Sequence, residues 1–371
     1  MKGQWIGDFQ GSHLKGRVTV DVDELPSGFR GRIAVFGDPT SVPPLVGFFE
    51  TTSKQNPARF SVSVAAAHPQ TTALVTWDEV SKLYPNGQFA RSVQVSAAWS
   101  DKELKLDWTS DLGGQGQAIL PASVAGATSE YPANAISWED FKIVVMGLEP
   151  RRFVFRGQRK PRRLRTTFHR TGRSDLTGYT MYDIPALHQH ISGRTRHLFA
   201  LANGAEYGAF LHLAQHHGYP TPLLDWSYSP FVATFFAYRS TRNSEVTNAS
   251  EDDRVRIFKF DKHAWQKTFA NESNVDALRL HLSFFEFLAV DNERMIPQQA
   301  LSSVTNIDDI ETYIRMREQQ NNCNYLEVFD LQTKDRRSIM RELSMMGITA
   351  GSLFPGLDGS CEELKERFFD E

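Results

Sequence analysis

Cysteine is almost absent: Cys323 and Cys361 are the only two in 371 residues, far apart and late in the chain. That count excludes a disulfide framework and a cysteine-built zinc site, and it fits a reducing cytosol. Long apolar runs are missing too. No stretch approaches the ~18 uninterrupted apolar residues of a membrane span, and the opening Met1-Lys2-Gly3-Gln4-Trp5 lacks the apolar core of a secretion signal. Nor does one sign of charge dominate: the formal net charge is -3, which argues against bulk nucleic-acid binding. A cytoplasmic protein without a membrane partner is the expectation.

What the chain does have is aromatic content. Phe occurs 26 times, enough to build aromatic-rich cores, and this length supports two domains with a core each. The first ~120 residues alternate apolar and polar side chains in short runs. Arg17-Val18-Thr19-Val20-Asp21-Val22-Asp23, Phe60-Ser61-Val62-Ser63-Val64, Ser92-Val93-Gln94-Val95-Ser96 and Glu103-Leu104-Lys105-Leu106-Asp107-Trp108 all read as half-buried strands. Turn signals separate them at Pro26-Ser27-Gly28, Gly37-Asp38-Pro39 and Pro85-Asn86-Gly87. The pattern predicts an all-β sandwich or small barrel, with Trp5 plugging its core.

Gly113-Gly114-Gln115-Gly116 opens a Gly-, Ala-, Ser- and Pro-rich stretch running to Pro132, which reads as linker. The expected division is a β-rich accessory or sensor domain over 1–120, a linker over 121–136 and an α+β domain over 137–371. The second domain starts on the helix-capping run Ser137-Trp138-Glu139-Asp140. It continues with a strand at Phe153-Val154-Phe155, helices around 181–217 and 229–240, and a strand over Arg254–Phe260. A further helix is expected near 333–346.

The run from Leu211 to Ser227 is the most particular in the chain. An apolar helix ends on His216-His217, turns through Gly218, Pro220 and Pro222, and restarts on Leu223-Leu224-Asp225-Trp226. Polar side chains between two apolar elements usually line a cleft. One of His216 and His217 is expected to hold the turn and the other to face that cleft, where imidazole can move a proton near pH 7. His212 and His216 share a helix face, but no third ligand stands in register, so no metal is expected. Asp225 reads either as a helix cap or as a cleft carboxylate, and Trp226 as core or as a platform for a flat ring.

Arg156 follows an apolar strand and precedes Gly157, which would let a ligand approach the backbone. It suits a phosphate, or it pairs with a core carboxylate such as Asp225. Arg151 to Arg173 is strongly basic, with no acid before Asp175; a polyanion partner and a solvated basic loop both fit. Asp291 to Ala300 places Arg294 beside Gln298 and Gln299 on an expected strand, where a Gln could fix a ribose.

Phe155-Arg156-Gly157-Gln158, Gln215-His216-His217-Gly218 with Pro220-Thr221, Leu223-Leu224-Asp225-Trp226, Phe235-Phe236-Ala237 and Asn292-x-Arg294-x-x-x-Gln298 together resemble the FRG domain family. Gly347-Ile348-Thr349 and Ser352 to Gly359 resemble the family's closing element. The likeness spans about residues 137–371 and leaves the β-rich part uncovered. Two positions depart from it: Ala300 stands where Gly is common, and Pro222 where a basic residue is frequent. The resemblance implies a place among bacterial toxin and phage-defence components, without handing over a reaction. Its layout is similar, at the level of fold, to ADP-ribosyltransferases.

That likeness implies an NAD-consuming enzyme, an ADP-ribosyltransferase or a glycohydrolase, with NAD as substrate. The expected catalytic group is His217, Asp225, Gln298 and Glu293. The expected nucleotide-binding group is Arg156, Gly157, His216, Tyr219, Thr221 and Trp226. The alternatives are a non-catalytic module that recognises a nucleotide or nucleic acid, with the β-domain recruiting a protein partner, and a metal-dependent nuclease.

Overall fold

The computed structural model describes residues 1–12, 14–38 and 42–369. The first strands are β1 (Gly3–Gly11), β2 (Lys15–Glu24), β3 (Phe29–Asp38), β4 (Leu45–Glu50) and β5 (Ala58–Ala67). They continue with β6 (Leu74–Val75), β7 (Ser92–Trp99), β8 (Glu103–Ser110) and β9 (Gln115–Pro121). Each pairs antiparallel with its neighbours, β9 returns to β1, and β4 meets β5. Eight strands therefore close into an up-and-down barrel, with β6 attached to β5. Of the sandwich and the barrel, the barrel is what forms. Closure removes the exposed edges that an open sheet would present.

The period of two sends Val18, Val20 and Val22 inward with Trp5 and Leu120. Pro26-Ser27-Gly28 turns the β2–β3 hairpin, with Leu25 N–H donating to the Gly28 carbonyl at 2.9 Å. Pro39 of the second turn signal lies outside the described residues. Gly113–Gly116 does not open a linker: it turns the β8–β9 hairpin, with Gly113 at φ +81°. Only glycine takes that conformation without strain, and β9 then completes the barrel.

A second sheet follows: β10 (Ala133–Ala135), β11 (Phe153–Gln158), β12 (Leu223–Ser227), β13 (Arg254–Asp261), β14 (Leu282–Phe285), β15 (Ala300–Thr305) and β16 (Leu326–Gln332). Its spatial order is β10-β16-β13-β11-β12-β15-β14, antiparallel except for β10 beside β16. One face packs on the helices Trp138–Met146, Pro230–Arg239 and Arg336–Met345 through Phe141, Phe235 and Leu343. The other buries Trp226, Phe258, Phe260 and Trp265. This is the expected α+β architecture. Ser137 caps the first helix and Ser229 the second, with Pro230 in its first turn. The helix expected over 181–217 is instead two, Ile184–Ile191 and Gly204–His216. Among the described residues no helix is long and apolar enough to cross a membrane.

The outward polar side chains of β2 and β3 do not all meet water. Asp21, Asp23 and Arg32 are buried where the barrel sits on the second sheet. Gln4 Nε2 donates to Asp21 Oδ1 at 2.8 Å and to the Asn306 carbonyl at 2.7 Å, while its Oε1 accepts from Asp308 N–H at 2.9 Å. Arg32 Nη2 completes Asp21 at 2.9 Å. Burial raises the Asp21 carboxyl and Arg32 opposes that rise.

Candidate functional site

The cleft opens where β11 and β12 diverge beside the end of the Gly204–His216 helix. Asn203 starts that helix by accepting from Ala205 and Glu206 N–H. Gly218, at φ +85°, ends it. On the helix, residues three and four apart share a face, so His212, Gln215 and His216 look the same way. On β12, Leu224 and Trp226 face the core while Asp225 points back at that helix.

The result is a cavity of about 340 Å³ lined by Arg156, His212, Gln215, His216, Asp225 and Gln298, with Arg294, Phe236 and Phe354 among its other walls. Among the described residues Asp225 is its only acidic lining residue. The Asp225 carboxylate is 48% exposed, so a ligand can reach it. Gln215 Nε2 donates to Asp225 Oδ2 at 2.5 Å, and Ser302 Oγ to Oδ1 at 3.1 Å. His212 Nε2 lies 3.8 Å from the same carboxylate, and its Nδ1 is 2.8 Å from Asn292 Nδ2. Arg156 Nη1 donates to the Asp225 main-chain carbonyl at 2.6 Å, and Arg156 Nε is buried without a partner. Burial lowers the guanidinium to about 10, with Asp225 opposing and Arg170 adding to the fall; it stays cationic at neutral pH. His216 is lowered to about 4 by burial, then by Arg294, and is neutral at pH 7.

Arg156, His216, Asp225 and Gln298 thus come together from distant points of the chain. Gln298 sits in the turn before β15, not on a strand, and its Nε2 donates to the Leu353 carbonyl at 2.9 Å. Of the other expected residues, Gly157 and Trp226 border the cavity and the rest fall elsewhere. His217 is exposed and caps the helix end, about 100° around from His216. Glu293 is exposed and does not line the cleft. Trp226 puts its ring in the opposite core, donating from Nε1 to Ser303 Oγ at 3.0 Å, so it offers no stacking face. Tyr219 packs beside Tyr179, ring centroids 6.3 Å apart. Thr221 is fully buried and donates to Gln215 Oε1, which turns the Gln215 amide toward Asp225. Gly157 borders the cavity and also lets the Pro230–Arg239 helix approach: a Cβ there would lie 1.8 Å from the Ala233 carbonyl oxygen.

The basic run is largely spoken for. Arg152 pairs with Asp261, Arg159 with Glu245, Arg163 with Asp309, Arg165 with Asp308, and Arg173 with Asp23 and Asp183. It ties elements together. Gln215, His212 and Arg294 line the cleft although the sequence reading placed none of them in the catalytic or nucleotide-binding group. The same helical spacing that puts His216 on the face of His212 adds Gln215 to it and turns His217 away.

Fold and cleft define an α+β protein with a polar cavity beside its central strands, carried behind a closed antiparallel barrel. Residues 151–246 match the family model of the FRG domain, and the chain carries that domain. The match takes in Arg156, Gln215 and Asp225 and stops short of Arg294, Gln298 and Phe354. No curated protein matches the chain.

Proposed function

We propose that this cleft binds a nucleotide and that the protein consumes NAD, by ADP-ribosyl transfer or by hydrolysis of the nicotinamide–ribose bond. Arg156 carries the reading. Its guanidinium is buried, charged, fixed by one nitrogen and short of a partner at Nε. An unsatisfied buried donor is costly, and an anion completes it; the planar fork suits a phosphate. Arg170, near enough to lower Arg156, adds to the positive field. At about 340 Å³ the cavity suits half of a dinucleotide, with the remainder across its open side.

Cleaving the bond leaves positive charge on the ribose carbon, and nicotinamide departs neutral with the electron pair. Asp225 is placed to stabilise that charge. Gln215 and Ser302 hold the carboxylate still, which lowers the reorganisation needed as charge develops. Gln298 supplies an amide for the ribose hydroxyls. Neutral His216 is a hydrogen-bond partner for incoming water or an acceptor hydroxyl. Such a reaction suits a toxin or phage-defence effector acting in the cytoplasm, where NAD is plentiful.

One observation favours a second reading. Both Asp225 oxygens already accept hydrogen bonds, and among the described residues no glutamate lines the cleft. A module that recognises a nucleotide or nucleic acid without turnover, the barrel recruiting a protein, needs no more than this. Purified protein incubated with NAD, alone and with nucleic acid or lysate, separates the two. Released nicotinamide that disappears in Asp225→Asn supports the enzyme. Binding of ADP-ribose by calorimetry with NAD left intact under every condition supports the module.

A further inference from the structure

The barrel interior is filled in two different ways. Toward the β2–β3 hairpin it is plugged by rings: Phe49 stacks on Phe60 at 4.4 Å, Phe29 meets Trp99 edge-on at 5.3 Å, and Trp5 Nε1 donates to the Met1 carbonyl at 2.9 Å. Toward the other end the inward side chains shrink to Val18, Val35, Leu45, Val62 and Val93, and a cavity of about 620 Å³ remains. Protein interiors hold few voids larger than a water molecule, and eight-stranded barrels are wide enough to hold one small ligand. This space is a built one.

Its chemistry is selective. Trp108 and Phe9, edge to face at 5.9 Å, supply aromatic wall. Among the described residues polar side chains, Ser12, Gln88, Ser110 and Gln115, line it only near the turns that frame the mouth. Among the described residues no Lys, Arg, Asp or Glu lines the cavity. A carboxylate or phosphate taken inside would lose its water with no counter-charge to replace it. A peptide segment fits no better: every barrel strand is paired on both sides, so its backbone groups would find no partners. The opposite end of β1 carries Gln4, which binds the second sheet, so the mouth points away from that contact.

We infer that the barrel is a receptor for one uncharged, lipophilic small molecule, its hydrocarbon body among the valines and Trp108 and any hydroxyl or carbonyl end at the Gln88–Gln115 rim. The site is separate from the cleft of the second sheet and does not depend on what that cleft does.

The full-length protein is titrated with N-phenyl-1-naphthylamine, an uncharged probe that fluoresces in apolar surroundings, and with the anionic 1-anilinonaphthalene-8-sulfonate. The expected result is saturable binding of one neutral probe per chain. The anion binds at least about tenfold more weakly, and ADP-ribose displaces neither. Val93→Trp fills the cavity and abolishes probe binding while circular dichroism stays native. Trp108→Phe tests the location without filling anything: binding persists and tryptophan-to-probe energy transfer falls, with Trp5, Trp77 and Trp99 left as donors. Absence of saturable binding overturns the inference. So does binding that survives in folded Val93→Trp, unchanged energy transfer in Trp108→Phe, or preference for the anion.

Discussion

The Arg156 guanidinium hydrogen-bonds the main-chain carbonyl of Asp225, 2.6 Å away, and leaves that residue's carboxylate to Gln215 and Ser302. The two residues are neighbours without being a closed ion pair. Cation and anion are both held in place with faces left for something else.

Arg156→Ala removes the charge and the strand-to-strand bond together. ADP-ribose affinity in calorimetry is expected to fall by about 10- to 100-fold, the range of one to two charge-assisted hydrogen bonds. Arg156→Lys keeps the charge and loses the fork, so it should recover only part of that. Unchanged affinity in both would remove Arg156 from binding.

Gly157→Ala drives a methyl into the Ala233 carbonyl of the Pro230–Arg239 helix. Backbone cannot step aside as a flexible side chain does. The expected cost is about 3 kcal/mol or more, read as a lower melting temperature and poor soluble yield. A native melting curve would show that helix and strand are less tightly seated.

His169, His216 and His281 are each lowered from 6.5 to about 4, burial being the largest cause for all three. Below pH 6.5 the unfolded chain takes up protons at these rings and the folded chain does not. Stability is therefore full above pH 6.5 and falls progressively toward pH 4. Asp21 and Glu311, raised by burial from 3.8 and 4.5, act in the opposite sense above those values and offset part of the decline. Thermal melts at constant ionic strength should show the decline, and His281→Asn should flatten it. A flat profile between pH 6.5 and 4 refutes the assignment.

Arg32→Met strands Asp21 between barrel and sheet. Removing one partner of a buried pair costs about 3–5 kcal/mol, measured by denaturant titration. Asp21→Asn with Arg32→Met should cost less than the two single changes summed, because the uncompensated charge has gone. Strict additivity would mean that the pair does not couple.

The strands of the barrel were readable because each puts one face inward, and a period of two survives in any local window. Its closure was not, since β1–β9 and β4–β5 pairings join segments that no local pattern links. Asp21 and Asp23 looked like solvent positions for the same reason: alternation separates inside from outside and is blind to what covers the outside. At the cleft, one residue of phase decided the outcome. His216 shares a helix face with His212, and His217 does not; Asp225 turns to the cleft, and Trp226 beside it turns away. Phe354 and Gln298 arrive from loops with no periodicity to interpret.

Composition and short-range order determined, unaided, that this chain builds a β-rich part followed by an α+β part, because side-chain alternation and helix caps act over a few residues. They also determined which polar residues were unusual. Folding in three dimensions decided which of those residues meet, that the first sheet closes around a hollow, and that most of the basic run is engaged in ion pairs. Contacts between distant segments depend on how whole faces pack, and no single segment records the face it will be packed against.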